Sequence, residues 1–112
     1  MSGVFGPVDY GPPIQGARGL SATATSVATA AVLQRKVSHF STVNAGAIVL
    51  LPHVTNVELD VLNRGANALT VTSLNDQIEG YGSSVQVAPG GNARFSMFYP
   101  PAAPPPWVWV LS

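Results

Sequence analysis

Residues 57–61, with the sequence VELDV, alternate apolar and charged side chains and decide the fold class. In an extended strand this alternation places the three apolar side chains on one face and Glu58 and Asp60 on the other. Residues 63–67 follow as a turn whose glycine is free to take a positive φ, and residues 69–74 return as the second strand of a hairpin. The stretch therefore predicts a half-buried β-strand that is paired with its successor.

Short apolar runs separated by turn residues continue in both directions. Residues 37–43 and 47–51 are split by Asn-Ala-Gly, and residues 85–88 and 93–99 flank the turn PGGN, which is a strong hairpin signal. The sequence ends on the apolar run 107–111. About seven short strands at such intervals predict an all-β fold, an antiparallel β-sandwich or a small barrel.

The amino-terminal part has a different composition. Gly and Pro recur so often in residues 1–19 that neither a helix nor a central strand can form there. Residues 21–31 leave a short helix and an extended strand both open, because they mix Ala with Thr and Ser. We predict an extended arm over residues 1–25 and a β-sandwich domain over residues 26–112, with a proline-rich loop at 100–106.

Spaced apolar side chains in the arm are typical of a segment that lies on a partner, since a solvated linker does not need them. A frayed terminus is the alternative. The predicted binding anchors are Val4, Phe5, Val8, Tyr10 and Ile14.

Charge is scarce in this chain of 112 residues. Only 9% of the residues are charged and the net charge is zero, whereas about 25% are charged in ordinary soluble domains. A nucleic-acid binder needs clustered Lys and Arg, so that class is excluded. A free monomer this poor in charge tends to self-associate, and we therefore expect a homo-oligomer or a subunit that a partner covers.

Other partners and compartments are constrained more weakly. The chain has no cysteine, so it has neither disulfides nor thiolate metal sites. No apolar run approaches the roughly 18 residues that a membrane span requires, and the first residues do not form a signal peptide. We expect synthesis in the cytoplasm and no membrane partner.

Polar residues do not form a recognisable catalytic or metal-binding pattern. His39 and His53 lack ligand spacing, so we expect a strand-face residue and a loop residue. Glu58 and Asp60 are expected on a solvated strand face. In the segment NDQIEG at 75–80, the side chain of Asn75 or Asp76 is expected to accept backbone N–H groups in an Asx-turn. The prediction is no catalytic residue, no metal and no cofactor.

Aromatic and apolar side chains near the carboxyl terminus have two interpretations. Both faces of the last strand are apolar, which favours cover by a second subunit or a second sheet. The predicted oligomer interface comprises Phe95, Met97, Tyr99, Trp107 and Trp109. The alternative is a sugar-binding surface on which aromatic rings stack against pyranose faces, formed by Tyr81, Phe98, Tyr99, Trp107 and Trp109.

Several of these segments together resemble a recurrent module of tailed-bacteriophage virion proteins. The segments are LP at 51–52, NRGANALTV at 63–71, DQIEG at 76–80, the glycine turn at 90–91 and the terminal tryptophan strand. The resemblance covers residues 43–111, and neither the proline-rich insertion before Trp107 nor the amino-terminal arm belongs to the module.

The resemblance implies a non-enzymatic virion structural protein. Its members include head decoration or cement proteins and fibre-like appendages. We expect a decoration protein on the capsid surface, a homotrimer whose arms bind the major capsid protein and stabilise the assembled head. A tail-fibre or spike module that contacts host glycans is the alternative.

Overall fold

A computed structural model describes residues 16–54, 57–74, 76–97 and 108–112 of the protein. These residues form ten β-strands in two sheets and contain no helix. Buried side chains from both sheets form one hydrophobic cluster, so the sheets pack face to face. The predicted all-β fold is confirmed, and of the two structures left open for residues 21–31 the described residues adopt the extended one with a turn at 26–29.

The larger sheet contains six strands: β1 (Gly16–Ala22), β3 (Val37–Val43), β5 (Val57–Asn63), β7 (Gln77–Ile78), β9 (Asn92–Met97) and β10 (Val108–Leu111). The smaller sheet contains β2 (Ala31–Val32), β4 (Ile48–Leu50), β6 (Leu69–Thr72) and β8 (Ser84–Val87). The strand orders are β1-β3-β5-β9-β10-β7 and β2-β4-β6-β8.

The chain moves to the opposite sheet after each of its first eight strands. Strands β1, β3 and β5 consequently stack in parallel in one sheet, and β2, β4 and β6 stack in parallel in the other. The first six strands thus wind as three coils of a short solenoid, in which each coil pairs with the next.

Strand pairing differs from the antiparallel prediction. Five strand pairs are parallel, and only β5–β9, β9–β10 and β6–β8 are antiparallel. Both predicted hairpins are wrong, because the turns at 63–67 and 89–92 carry the chain from one sheet to the other. Turn residues reverse or redirect the backbone locally, and they do not specify which strand becomes the neighbour.

The alternating stretch VELDV does lie as its pattern predicts. Leu59 and Val61 are buried, whereas Glu58 and Asp60 are only partly buried on the outer face. In the same hydrophobic cluster, Leu69 of β6 is completely buried. Burial of one such aliphatic side chain stabilises a fold by about 1.5–3 kcal/mol.

Three residues of the predicted oligomer interface belong to the core of the single chain. Phe95, Met97 and Trp109 each have 0% exposure, because their strands β9 and β10 lie inside the larger sheet and these side chains point towards the smaller one. They have no surface to offer to a second copy. Tyr99 and Trp107 lie outside the described residues.

The folded domain begins earlier than predicted. Strand β1 pairs with β3 from Gly16 to Ala22, so the part of the predicted arm from residue 16 to residue 22 belongs to the larger sheet. Leu20 packs against the core, and Ala22 is buried in it. The anchors Val4, Phe5, Val8, Tyr10 and Ile14 lie outside the described residues.

Candidate functional site

The corner at residues 63–67 is organised by the amide of Asn63. This side chain is fully buried; its Nδ2 donates to the carbonyl oxygens of Asn67 (2.8 Å) and Val87 (2.9 Å), and its Oδ1 accepts from the N–H of Gly65 (2.9 Å). A buried polar group is stable only when it is hydrogen-bonded, and here the one amide satisfies three backbone groups. Asn63 therefore has a structural role.

Gly65 is required at this corner for space, and not for the positive φ that the turn suggested. Its φ is not among the positive ones of the described glycines, but a Cβ on it would lie 2.7 Å from the backbone nitrogen of Val43. Asn67 donates from its Nδ2 to the carbonyl oxygen of Val43 at 2.8 Å. The segment NRGAN thus fastens the third coil to the second.

Asp76 and His53 form a part-buried polar pair. The Nδ1 of His53 lies 3.1 Å and 3.0 Å from the two carboxylate oxygens of Asp76, whose side chain is 1% exposed, whereas that of His53 is 43% exposed. The N–H of Asp76 donates to Ser73 Oγ. The carboxylate of Asp76 thus contacts a histidine ring from the preceding coil. Asn75 lies outside the described residues, so the Asx-turn stays a prediction.

Asp60 is paired across the sheet with Arg94. These residues are opposite each other on β5 and β9, and the Nε of Arg94 lies 2.7 Å from Asp60 Oδ1. The hydrogen bond to Asp60, with the charges of Asp60 and Glu58, raises the pKa of Arg94 above its ordinary value. Together with the partly buried Glu58, the pair lies on the outer face of the larger sheet, which is a common arrangement of cross-strand charges.

These polar groups do not converge on one point. His39 lies on β3, where its Nδ1 accepts the N–H of Gly19, and His53 lies in a loop after β4. Within the described residues no three His, Asp or Glu side chains are close enough to hold a metal ion, and no helix has the length and hydropathy for a membrane span. Asp60, Asp76 and both histidines all have structural partners.

A cavity of about 350 Å³ opens at the first coil. Apolar side chains of both sheets line it, with Thr29 and Arg35 among the polar ones; the apolar lining includes Leu20, Ala31, Val32, Phe40 and Val49. Strands β1 and β2 are here the edge strands of their sheets. No further strand of the described residues covers this end of the solenoid, whereas β8 and β9 continue the sheets beyond the third coil. We name it the first-coil end, defined by β1, β2 and the cavity between them.

None of the sequence patterns described above indicates the first-coil end. A weak repeat between NAGAIV at 44–49 and NALTV at 67–71 is the signal that could have revealed the winding. Both segments begin at a corner and lead into neighbouring parallel strands, β4 and β6. Comparison of the chain with protein-family models, curated proteins and solved structures found no match.

Proposed function

We propose that this chain is a non-catalytic structural protein of a bacteriophage virion, a decoration or cement protein that binds the assembled head. The observation that supports this proposal best is the attachment of the amino-terminal segment to β1. This segment, with its spaced apolar side chains, enters the fold at Gly16 on the edge strand of a six-stranded sheet. Because the arm continues directly into this sheet, binding of the arm to the shell would fix the position of the whole domain on the shell.

The chemistry of the described residues is consistent with a binding role. The residues that carry the resemblance to virion modules serve the fold: Asn63, Gly65 and Asn67 fasten a corner, and Ile78 is buried. With these residues used to hold the fold, binding has to occur on the outer surface of the protein. The scarcity of charge favours a surface that a partner covers.

Several weak arms together act strongly. In a homotrimer, binding of one arm raises the effective concentration of the other two, and avidity increases by orders of magnitude. A protein that binds only the assembled shell stabilises it by mass action. Contact between copies has to use exposed apolar side chains in place of Phe95, Met97 and Trp109; Val54, Leu74 and Tyr81 are exposed by 41%, 57% and 54%.

The glycan-binding alternative is weaker. Trp109 is fully buried and cannot stack on a sugar, so Tyr81 is the one exposed member of the aromatic set among the described residues. A single ring without a second platform binds sugars poorly. We therefore keep the head as the proposed partner.

Co-sedimentation tests the proposal. The full chain and a variant that lacks residues 1–15 are each mixed with empty expanded heads, sedimented and imaged, and the mass of each free protein is measured by light scattering. We expect the full chain to decorate the heads, and the truncated variant to keep its free mass but to bind at least about 100-fold more weakly.

Two results would contradict it. A full chain that stays in the supernatant removes the head as a partner. A truncated variant that binds as well as the full chain rules out the arm as the point of attachment.

A further inference from the structure

The first-coil end has the form of a receiving site for an extended peptide. Its cavity lies between two edge strands, and the rim residue Val32 is 44% exposed although it is aliphatic. Among the described residues, strand β1 has only β3 as a neighbour, and β2 has only β4. An edge strand supplies backbone N–H and C=O groups to an added strand, while a neighbouring cavity selects its side chains.

The charged side chains of residues 16–54, which contribute β1 and β2, have one sign. Residues 16–54 carry Arg18, Arg35 and Lys36 and contain no Asp or Glu. Two of these cations are exposed: Arg18 lies on β1, and Lys36 directly precedes β3. An occupant that complements this end therefore carries carboxylates.

The same charges disfavour a second copy of this end as the occupant. A two-fold pairing of β1 with β1 would bring Arg18 of one copy towards Arg18 of the other, and like charges on paired strands are destabilising. The carboxylates of Asp60 and Asp76 are already paired, with Arg94 and His53 respectively. Residues 16–54 hold no carboxylate of their own that could complement these cations, and we therefore take the occupant to be a segment of a different polypeptide.

We infer that the first-coil end binds an extended segment of a shell subunit, one with apolar side chains for the cavity and at least one carboxylate for the cationic rim. This inference rests on the proposed function and adds a second contact to it. The arm extends from the protein towards the shell, whereas this segment extends from the shell into the protein. Each decoration subunit then both contributes a segment to the shell and receives one from it.

Single cysteines can test this inference cleanly, because the chain has none of its own. Val32→Cys places a thiol at the cavity rim, and Gln86→Cys places one on the exposed face of β8, the opposite edge of the same sheet. Both variants are labelled with a maleimide, free and bound to expanded heads. We expect binding to slow labelling of Val32→Cys by at least about tenfold and to leave Gln86→Cys unchanged.

Charge variants test the rim. We expect Arg18→Glu and Lys36→Glu each to weaken head binding by about fivefold at low salt and by less at high salt. The matched control is Gln86→Glu, which adds a negative charge at the opposite edge and should bind as the unaltered chain does. Equal urea midpoints for all variants show that the fold is retained.

The outcomes separate the two proposals. If the chain decorates heads while Val32→Cys labels at its free rate, the inference fails and the proposed function stands. If the chain does not bind heads at all, both fail. Labelling of the free protein can also be slow. If it becomes fast when residues 1–15 are deleted, the chain's own arm occupies the site; if it depends on protein concentration, a second copy does. Either result overturns the inference.

Discussion

Asn63 shows how a polar side chain can serve the core of a small β-protein. It sits where the chain leaves the larger sheet, and its amide bonds to backbone groups of Gly65, Asn67 and Val87. Its own backbone N–H donates to Gly91, and its carbonyl oxygen accepts from Gly90. Two corners of the chain are thereby tied to one residue.

Replacement of this amide should be costly. In Asn63→Ala, three buried or partly buried backbone groups lose their partner, and we expect the free energy of unfolding to fall by about 3 kcal/mol. Urea unfolding followed by tryptophan fluorescence measures this. Asn44→Ala is the control, since Asn44 is exposed and its hydrogen bonds among the described residues are made by its backbone. Equal losses for the two variants would show that the amide network contributes nothing.

The carboxylate of Asp76 illustrates what sequence alone leaves undetermined at the scale of a residue. The segment DQIEG indicates a turn, and the structure has one, but the partner of Asp76 is His53, from the preceding coil. Similarly, the alternation in VELDV places Asp60 on the outer face, while its pairing with Arg94 depends on the register of β5 with β9. The identity of a partner follows from topology, which local patterns do not contain.

At the scale of elements, the His53–Asp76 pair connects two neighbouring loops. His53 follows β4 and Asp76 follows β6, and these strands are adjacent and parallel. The pair holds the carboxyl ends of the two strands together in a region where Asp76 is almost completely buried. The pair is a cross-coil link of the kind that a solenoid needs between its repeats.

A double-mutant cycle measures this link. We expect His53→Ala to lower the free energy of unfolding by about 1–2 kcal/mol, because it leaves a buried carboxylate without its ring partner. Asp76→Asn in the same chain should recover part of that loss, and the coupling between the two positions should be about 1 kcal/mol. The cycle cancels whatever else each side chain contacts. Strictly additive effects would mean that the two residues are near each other without stabilising the link.

Strand β10 inserts Trp109 into the centre of the core. The strand pairs with both β9 and β7, and Trp109 accepts the N–H of Glu79 at its carbonyl oxygen. Its indole Nε1 is buried and has no acceptor among the described residues. The ring therefore contributes its volume and apolar surface to the packing of β10 in the core. Its N–H makes no hydrogen bond to the described residues.

Two substitutions separate volume from the polar atom. Trp109→Ala should cost about 3–5 kcal/mol because it opens a large cavity. Trp109→Phe should cost less than about 1.5 kcal/mol, since most of the volume stays and an unsatisfied donor disappears. Urea midpoints from circular dichroism give both values. A loss as large for Phe as for Ala would indicate that the indole N–H has a partner that matters.

Turns are the elements that sequence reasoning interpreted least well. The Gly and Asn positions of the turns at 63–67 and 89–92 were found, and strands do flank them. The predicted pairing of the flanking strands was wrong. A compact turn can join paired strands in one sheet or form a corner between two sheets, and both kinds of turn need the same residue types. The local chemistry was therefore predictable, whereas the long-range pairing was not.

Across the whole molecule, the winding explains why the boundary of the domain was misplaced. Residues 16–22 are rich in Gly, Ala and Ser and lack the alternation of apolar and polar residues that marks a strand. The sequence therefore predicted that they belong to the arm. In a solenoid, each coil needs the next one to cover its open side, and β1 provides this cover for β3. Composition alone does not report such a requirement, because it arises from the stacking.

Truncation at two points distinguishes the two boundaries. A chain that starts at residue 26 corresponds to the domain that the sequence predicts, and a chain that starts at residue 16 corresponds to the domain that the structure describes. The shorter chain loses β1, with the backbone hydrogen bonds to β3 and the packing of Leu20 and Ala22. We expect it to be less stable than the longer one by at least about 2 kcal/mol, with a smaller denaturant slope because less surface is buried on folding. Urea unfolding of both chains measures the midpoint and the slope together. Equal values for the two chains would place the domain boundary at residue 26 and would mean that β1 does not stabilise the domain.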